Sequence, residues 1–401
     1  MKLPGVHQRL GRKSIDDSAL AGDYTALSIV GADVADQAIE MNELAVAAVF
    51  GARNFLINPC GLVCQRGTTI AAVADAAFIA DRWRVVADTA GDVDFARTDI
   101  PSADTMPDTG AQSAIALTTT VTDHKFGIVQ SVENRDSFRL LGKTGGVVSL
   151  SFWAKQTGDG ITSISAYIYT STATSDLYTK DAILDWDVAG SAPTVSGTGS
   201  VIEGSLVDSA LTTSWVQFKL ENVALDGSSD SQNVHVIIFT NDEAYNIGDI
   251  VEITDVSLVV GPRAVSVSHR PFAEEIRLCE RFYRKTFALE TTPAQWSAGG
   301  DVPGHNVAMM HSSTVSADIN EAIFRFRHPE RINSPAAGLT TYNPAAANAS
   351  ARNNTDGTDS AFAVDTDYRG ERGTKYGKQL AAGEVLDQMR ANFTADGEPG
   401  V

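Results

Sequence analysis

Between about Arg53 and Val260 the chain is a succession of short runs of β-branched and aromatic residues divided by turn-forming clusters, a texture that restricts it to an all-β domain. The runs include Val147 to Ala154, Ile164 to Tyr169, Trp215 to Leu220, Val234 to Phe239 and Val251 to Val260. Thr157-Gly158-Asp159-Gly160 and Asp226-Gly227-Ser228-Ser229-Asp230 stand between runs, where Gly tolerates positive φ and Asp or Ser bonds the turn backbone. Trp215, Gln217 and Lys219 alternate with Val216, Phe218 and Leu220, the period that gives a strand one face in a core. Many such strands at even spacing predict a β-sandwich of the jelly-roll kind.

The flanks differ from this centre. Leu20 to Phe50 is rich in Ala and small apolar residues, among them Ala26, Leu27, Ile29, Val30, Val34, Ala35, Ala38, Ile39, Leu44 and Ala45. It is either an oligomerisation or attachment segment packing on copies of itself or on a platform protein, or an amphipathic helix folded back on the next domain. After the sandwich, Phe272, Ile276, Cys279 and Tyr283 recur at helical spacing, with Pro271 at the start and Ser268 as a cap. Glu274, Glu275, Arg277, Arg281 and Arg284 fall on the other faces of this predicted helix. Beyond Thr286, alternating segments such as Ile323-Phe324-Arg325-Phe326-Arg327 predict a second small β-domain, with an extended polar loop over Asn343 to Asp359. The expected division is 1–50, 51–265 and 266–401.

With 401 residues and 43% apolar content the chain can bury sizeable cores. Its formal charge is -19, and Lys219 is the only basic residue between Asp181 and Val260, which argues against nucleic acid as a partner. The longest apolar stretch, Ile39 to Phe50, is broken by Glu40 and Glu43, so no membrane insertion is expected. Arg9, Arg12 and Lys13 lead into Ser14 and Asp16 rather than an apolar core, so no secretory signal is read and synthesis in the cytoplasm is expected. Cys60, Cys64 and Cys279 are expected to be buried thiols, since no further Cys or His pair completes a zinc finger around Cys60 and Cys64.

Residues for catalysis do not assemble. No Gly-x-Ser-x-Gly elbow is present, and Gly373-Thr374-Lys375-Tyr376-Gly377-Lys378, followed by Gln379, lacks phosphate-loop spacing and reads as a polar loop. His305 and His311 in a strand would lie about 20 Å apart, too far to share an ion. The acid pairs Asp185 and Asp187, Asp242 and Glu243, and Asp365 and Asp367 read as solvated loop acids rather than a glycosidase pair. Asp255 could join a structural calcium site with the opening segment Asn58-Pro59-Cys60-Gly61-Leu62, although that segment offers one side-chain amide and no carboxylate. Trp83, Trp153 and Trp215 are expected in the core. Trp296, and Tyr368 and Tyr376 beside Arg369, Arg372, Lys375 and Lys378, are the better candidates for exposed rings. No enzyme activity, cofactor or metal ligand set is expected, and ligand-contact residues are not assigned.

Three stretches, in order, resemble bacteriophage tail-fibre and related virion proteins. Val30-Gly31-Ala32-Asp33-Val34-Ala35-Asp36-Gln37-Ala38-Ile39, running to Ala48-Val49, is similar to repeat units of fibre shafts and attachment segments. Arg53-Asn54-Phe55-Leu56-Ile57-Asn58, Gln65-Arg66-Gly67 and Ala80-Asp81-Arg82-Trp83 resemble the opening of their jelly-roll domains, which are similar to carbohydrate-binding modules. Ser151-Phe152-Trp153-Ala154-Lys155, Ser214-Trp215 and Ile253-Thr254-Asp255-Val256-Ser257-Leu258 suit its inner strands. Pro59 and Cys60 stand where that family usually has Gly and a polar or acidic residue, a departure that weakens the carry-over of a calcium site. His269-Arg270-Pro271-Phe272-Ala273-Glu274-Glu275 with Leu278-Cys279-Glu280-Arg281-Phe282-Tyr283 resembles the helix after the jelly roll, and Asn392-Phe393-Thr394-Ala395-Asp396 the C-terminal ending. The resemblance implies a homotrimeric tail fibre or receptor-binding protein on the virion exterior, held to other virion proteins by its N-terminal segment and facing a host surface glycan. A head fibre or capsid decoration protein, and an accessory carbohydrate-binding part of a glycan-degrading enzyme, are the alternatives.

Overall fold

A computed structural model of the chain describes residues between 53 and 396, apart from 102–109, 123, 142–145, 173–181, 187–192, 196–198, 226–229, 241–244, 266, 268, 296–307, 312–318, 326–338, 354–358, 361–362, 371–372 and 380–387. The chain divides into two compact units, Met1–Ala52 and Arg53–Val401. The expected N-terminal attachment segment lies outside the described residues.

The centre is an antiparallel two-sheet β-sandwich. One sheet has the order β1 (Thr69–Ile70), β3 (Val93–Asp99), β4 (Ser113–Thr119), β13 (Ile250–Val260), β6 (Gly146–Thr157), β11 (Val216–Leu225). The other has the order β10 (Val201–Ala210), β7 (Ser163–Ser171), β12 (Asn233–Thr240), β5 (Phe126–Ser131), β2 (Arg84–Ala87). From β4 to β7 and again from β10 to β13 the chain alternates between the sheets, so each expected strand run finds its place. The period-two pattern decides which side chains fill the space between them. Ile164, Ala166 and Ile168 of β7 and Val234, Val236 and Ile238 of β12 meet Leu150, Phe152 and Ala154 of β6 and Ile253, Val256 and Leu258 of β13 in one continuous core. A small hairpin, β8 (Ile183–Asp185) with β9 (Thr194–Val195), lies against the outside of the five-stranded sheet.

The opening segment, 54–63, is wedged beside the second half of β13. The Asn54 carboxamide accepts the backbone N–H groups of Leu56 and Leu258, both at 3.0 Å, and donates to the Val256 carbonyl at 2.8 Å. Gln130 makes a two-way pair with the Ile57 backbone, at 2.7 and 2.8 Å. Buried amides thus satisfy backbone groups that no strand neighbour reaches.

Among the described residues, two helices accompany the sandwich. Helix α1 (Asn134–Leu141), which the sequence did not announce, buries Leu140 and leaves Phe138 57% exposed. Helix α2 (Phe272–Cys279) is the expected one, but its faces are turned. Its N-cap is Pro271 without a side-chain cap, Ser268 lies outside the described residues, and Phe272 is exposed. The buried side is Glu275 and Cys279, with Ile276 and Leu278 packed on Ile57 and Val63. Glu275 turns inward because it accepts the Asn58 N–H and faces Arg270. Tyr283, expected on the helical stripe, opens strand β14 (Tyr283–Lys285) instead.

Beyond β14 the described residues include the strands β15 (Ala308–His311), β16 (Ile319–Arg325), β17 (Leu339–Tyr342), β18 (Ala351–Asn353), β19 (Asp359–Ser360), β20 (Ala363–Gly370), β21 (Gly373–Gln379) and β22 (Gln388–Asp396). β22 is the hub, pairing with β14, β15, β17 and β18. The stretch Gly373 to Lys378, expected as a polar loop, is strand β21, because β16 and β20 supply ladder partners on both sides. Within the expected long loop, Asn343 accepts the backbone N–H groups of Ala345 and Ala346, at 2.8 and 3.1 Å. β18 and β19 then pair, with Arg352 and Asp359 in an ion pair of 3.1 Å.

Candidate functional site

Each strand of the five-stranded sheet has a second face, turned away from the core, and on β7 and β12 that face is aromatic. Alternation sends Tyr167 and Tyr169 outward from β7, and His235, Ile237 and Phe239 outward from β12. The registers align them in rows. Ser205, Tyr167, Ile237, Val129 and Arg84 cross the five strands in one row, with Tyr169, His235 and Ser131 beside it. On the other side run Ser165, Phe239, Gly127 and Val86. Gly127 is required there, since an added Cβ would stand 2.3 Å from the Ile238 carbonyl and 2.6 Å from Phe239 Cβ.

The rings touch one another. Tyr167 meets Phe239 edge-on at 4.9 Å, Trp186 meets Phe239 edge-on at 6.0 Å, and His235 stacks on Tyr169 at 4.6 Å. Ile183 of β8 and Val195 of β9, with Ala182 and Trp186 on either side of β8, cover the face, and Trp186 remains half-buried. The Tyr167 hydroxyl and the Trp186 indole N–H are enclosed here without a hydrogen-bond partner among the described residues. Burial, then the Asp208 carboxylate, raises the Tyr167 pKa, keeping the phenol protonated. His235 contacts Ser131 Oγ at 2.8 Å and Ser171 Oγ at 2.9 Å, and burial lowers its pKa to about 3, so the ring is neutral at physiological pH. Tyr167 and Phe239 lie under this cover, while the half-buried Trp186 is the ring of the three that reaches solvent, an indole on which the apolar C–H face of a ligand can pack.

A different chemistry lies on the six-stranded sheet. A bulge between Thr254 and Ser257 of β13 lifts Asp255 out of the ladder at φ 52°. Its carboxylate accepts from the Cys60 thiol at 3.2 Å and stands 3.1 Å from His269 Nε2, while His269 Nδ1 is 3.8 Å from Cys60 Sγ. Cys60 and Asp255 are buried, and 29% of the His269 side chain is exposed. Burial, then the Asp255 charge, raises the Cys60 pKa well above the ordinary thiol range. A second cluster is more open: His124 Nδ1 lies 2.8 Å from Asp88 and 3.0 Å from Asp92.

Asp255 therefore does meet the opening segment, as the sequence suggested, but not among oxygen donors. Asn58 spends its carboxamide on the backbones of Val63 and Asp81, and the side chain beside Asp255 is the Cys60 thiol. All three cysteines are buried thiols, as expected. Trp83 and Trp215 are buried as expected, the first donating to the Asn58 carbonyl at 2.8 Å and the second with Lys155 Nζ 4.6 Å from its ring. Trp153 is not in the core: Phe152 and Ala154 take the inward positions of β6, and Trp153 points outward, half-buried. Asp185 is exposed on β8. Asp187, Asp242, Glu243, Trp296, His305 and Arg372 lie outside the described residues, as do the side chains of His311, Asp365, Asp367, Tyr368, Arg369, Lys375, Tyr376 and Lys378. Tyr167, Tyr169, Phe239 and Trp186 were not singled out from sequence. The alternation Ile164-Ala166-Ile168 against Tyr167-Tyr169 was the available signal, but a strand apolar on both faces does not reveal which face lies outside.

No protein-family model matches the chain, and no curated protein matches it. Among solved structures it is similar to the enzymatically active domain of tailspike protein 4 of bacteriophage CBA120, at 13% identity and a TM-score of 0.30, covering 52% of this chain. The matched part spans 21% of that tailspike chain. A sugar-binding protein from Bacteroides thetaiotaomicron is similar at 16% identity and a TM-score of 0.30, over 52% of this chain and 100% of that one. Carbohydrate-binding modules of the β-sandwich superfamily are similar at 10% identity and a TM-score of 0.27, over 47% and 63%. Likeness at this level assigns no activity or ligand.

Proposed function

We propose that this chain is a non-enzymatic adhesion subunit of a bacteriophage virion, a tail fibre or receptor-binding protein, and that its sandwich binds a glycan of the host surface. The virion reading rests on the ordered resemblance of three sequence stretches. The glycan reading rests on one observation: rings of Tyr167, Phe239 and Trp186 in mutual contact around a Tyr167 O–H and a Trp186 N–H that no described residue satisfies. Native proteins seldom leave enclosed donors unpaired, and on this reading the cover of β8 and β9 shifts to let sugar hydroxyls pair them while a pyranose C–H face packs on the indole. The N-terminal segment, on this reading, attaches the protein to the particle as a trimer, and linked copies turn weak single sites into firm attachment.

Binding of labelled full-length protein to host cells, with and without excess purified surface polysaccharide, tests this. Saturable binding that the polysaccharide competes away, and that Trp186→Ala removes, supports the reading. Binding insensitive to polysaccharide, or release of reducing sugar from it, contradicts the reading.

A further inference from the structure

We propose that Cys60, Asp255 and His269 form a binding site for one zinc-class divalent ion, which ties the opening segment, the bulge of β13 and the link into α2 together. The three residues come from positions far apart in the chain, with 209 residues separating Cys60 from His269. One donor atom from each lies within 4.8 Å of the others. Tetrahedral zinc with bonds of about 2.0–2.3 Å has ligand-to-ligand edges of roughly 3.3–3.6 Å. Asp255 Oδ1 lies 3.1 Å from His269 Nε2 and 3.2 Å from Cys60 Sγ, close to two such edges, and the third donor pair lies within 4.8 Å, so side-chain adjustment that draws the imidazole and the sulfur together admits the ion.

The donor set selects the metal. Calcium takes six to eight oxygens and has no use for a thiolate or imidazole, whereas one sulfur, one nitrogen and one oxygen suit a borderline-soft ion of low coordination number. The partly exposed His269 leaves room for water as a fourth ligand. On binding, the Cys60 thiol proton passes to solvent and the sulfur becomes the ligand.

The surroundings hold this geometry. The bulge frees Asp255 from β-pairing, the Val256 N–H bonds to the Pro59 carbonyl at 3.1 Å, and Ser113 Oγ bonds to the Cys60 carbonyl at 2.9 Å. Gly110 faces the imidazole, where an added Cβ would come within 3.1 Å of His269 Cδ2. The Asp88, Asp92 and His124 cluster is a different case: it is more exposed, lacks a sulfur and reads as a surface ion pair.

Cobalt(II) is the probe, because thiolate ligation gives it a charge-transfer band in the near ultraviolet and low coordination gives strong visible absorption. Full-length protein stripped with chelator is titrated with cobalt and then with zinc. The expected result is both bands at one equivalent, displaced by zinc, with the charge-transfer band lost in Cys60→Ser and retained in Cys64→Ser. His269→Asn changes a partly exposed residue, keeps the sulfur, and should weaken cobalt binding on the order of tenfold or more, since even outer-shell changes at metal sites cost that much. A wild-type protein with no thiolate band, or a band that survives Cys60→Ser, overturns the proposal.

Discussion

Arg270 Nη1 lies 3.1 Å from Glu275 Oε2, and this ion pair fastens the start of the sandwich to the helix that follows its last strand. Arg270 also donates to the carbonyls of Asn54 and Leu56, while Glu275 accepts the Asn58 N–H. Both side chains are largely withdrawn from water, at 17% and 7% exposure. Removing one partner leaves the other charge buried and uncompensated, together with orphaned backbone groups. Glu275→Ala should therefore cost about 3–5 kcal/mol. Urea unfolding of the purified variant checks this, and an unchanged midpoint would show the pair to be idle.

Acid should weaken the sandwich through His235 before most carboxylates titrate. Its pKa falls from 6.5 unfolded to about 3 folded, so below 6.5 the unfolded chain binds the extra proton. Stability is lost as pH falls through that window, by about 1.4 kcal/mol per pH unit for this one group. Comparing wild type with His235→Gln between pH 6.5 and 5 isolates the effect: the wild type should show the steeper loss. Parallel curves would contradict the buried neutral histidine.

Tyr167→Phe separates stability from binding. Deleting an enclosed hydroxyl that lacks a partner among the described residues should raise stability by about 1 kcal/mol, while removing a group that a sugar would bond. Thermal unfolding together with polysaccharide binding on the same sample reads both. Lower stability would mean that the hydroxyl already has a strong partner.

Gly127→Ala should be harmful even though it adds one methyl group. The new Cβ would meet backbone, the Ile238 carbonyl at 2.3 Å, and backbone on a central strand cannot swing aside. A loss of about 1–3 kcal/mol is expected, measured as a shift of the denaturation midpoint.

These cases mark what the amino-acid order discloses. Val216, Phe218 and Leu220 were legible as one core-facing row because period-two alternation is a local property. The turned faces of α2 were not: Phe272 satisfies the apolar stripe yet is exposed, and Glu275 breaks it yet is buried, because Arg270 and Asn58 await it across the fold. Trp153 looked like core for its neighbours' sake, although its own parity sends it outward. The aromatic face stayed hidden because the hairpin of β8 and β9 covers it, and no local pattern announces a cover. Asp255 was legible as a neighbour of the opening segment, but the Cys60 thiol and His269 were not legible as its partners, since 195 residues separate Cys60 from Asp255 and a bulge brings them together.

The measurement that bears most directly on the account is titration calorimetry of the full-length protein with oligosaccharides from the host surface, run beside Trp186→Ala. The account predicts exothermic binding at one site per chain that disappears in the variant while its thermal unfolding stays within a few degrees of wild type. Equal binding by both proteins, or none by either across the host's surface glycans, would contradict a glycan site on the aromatic face.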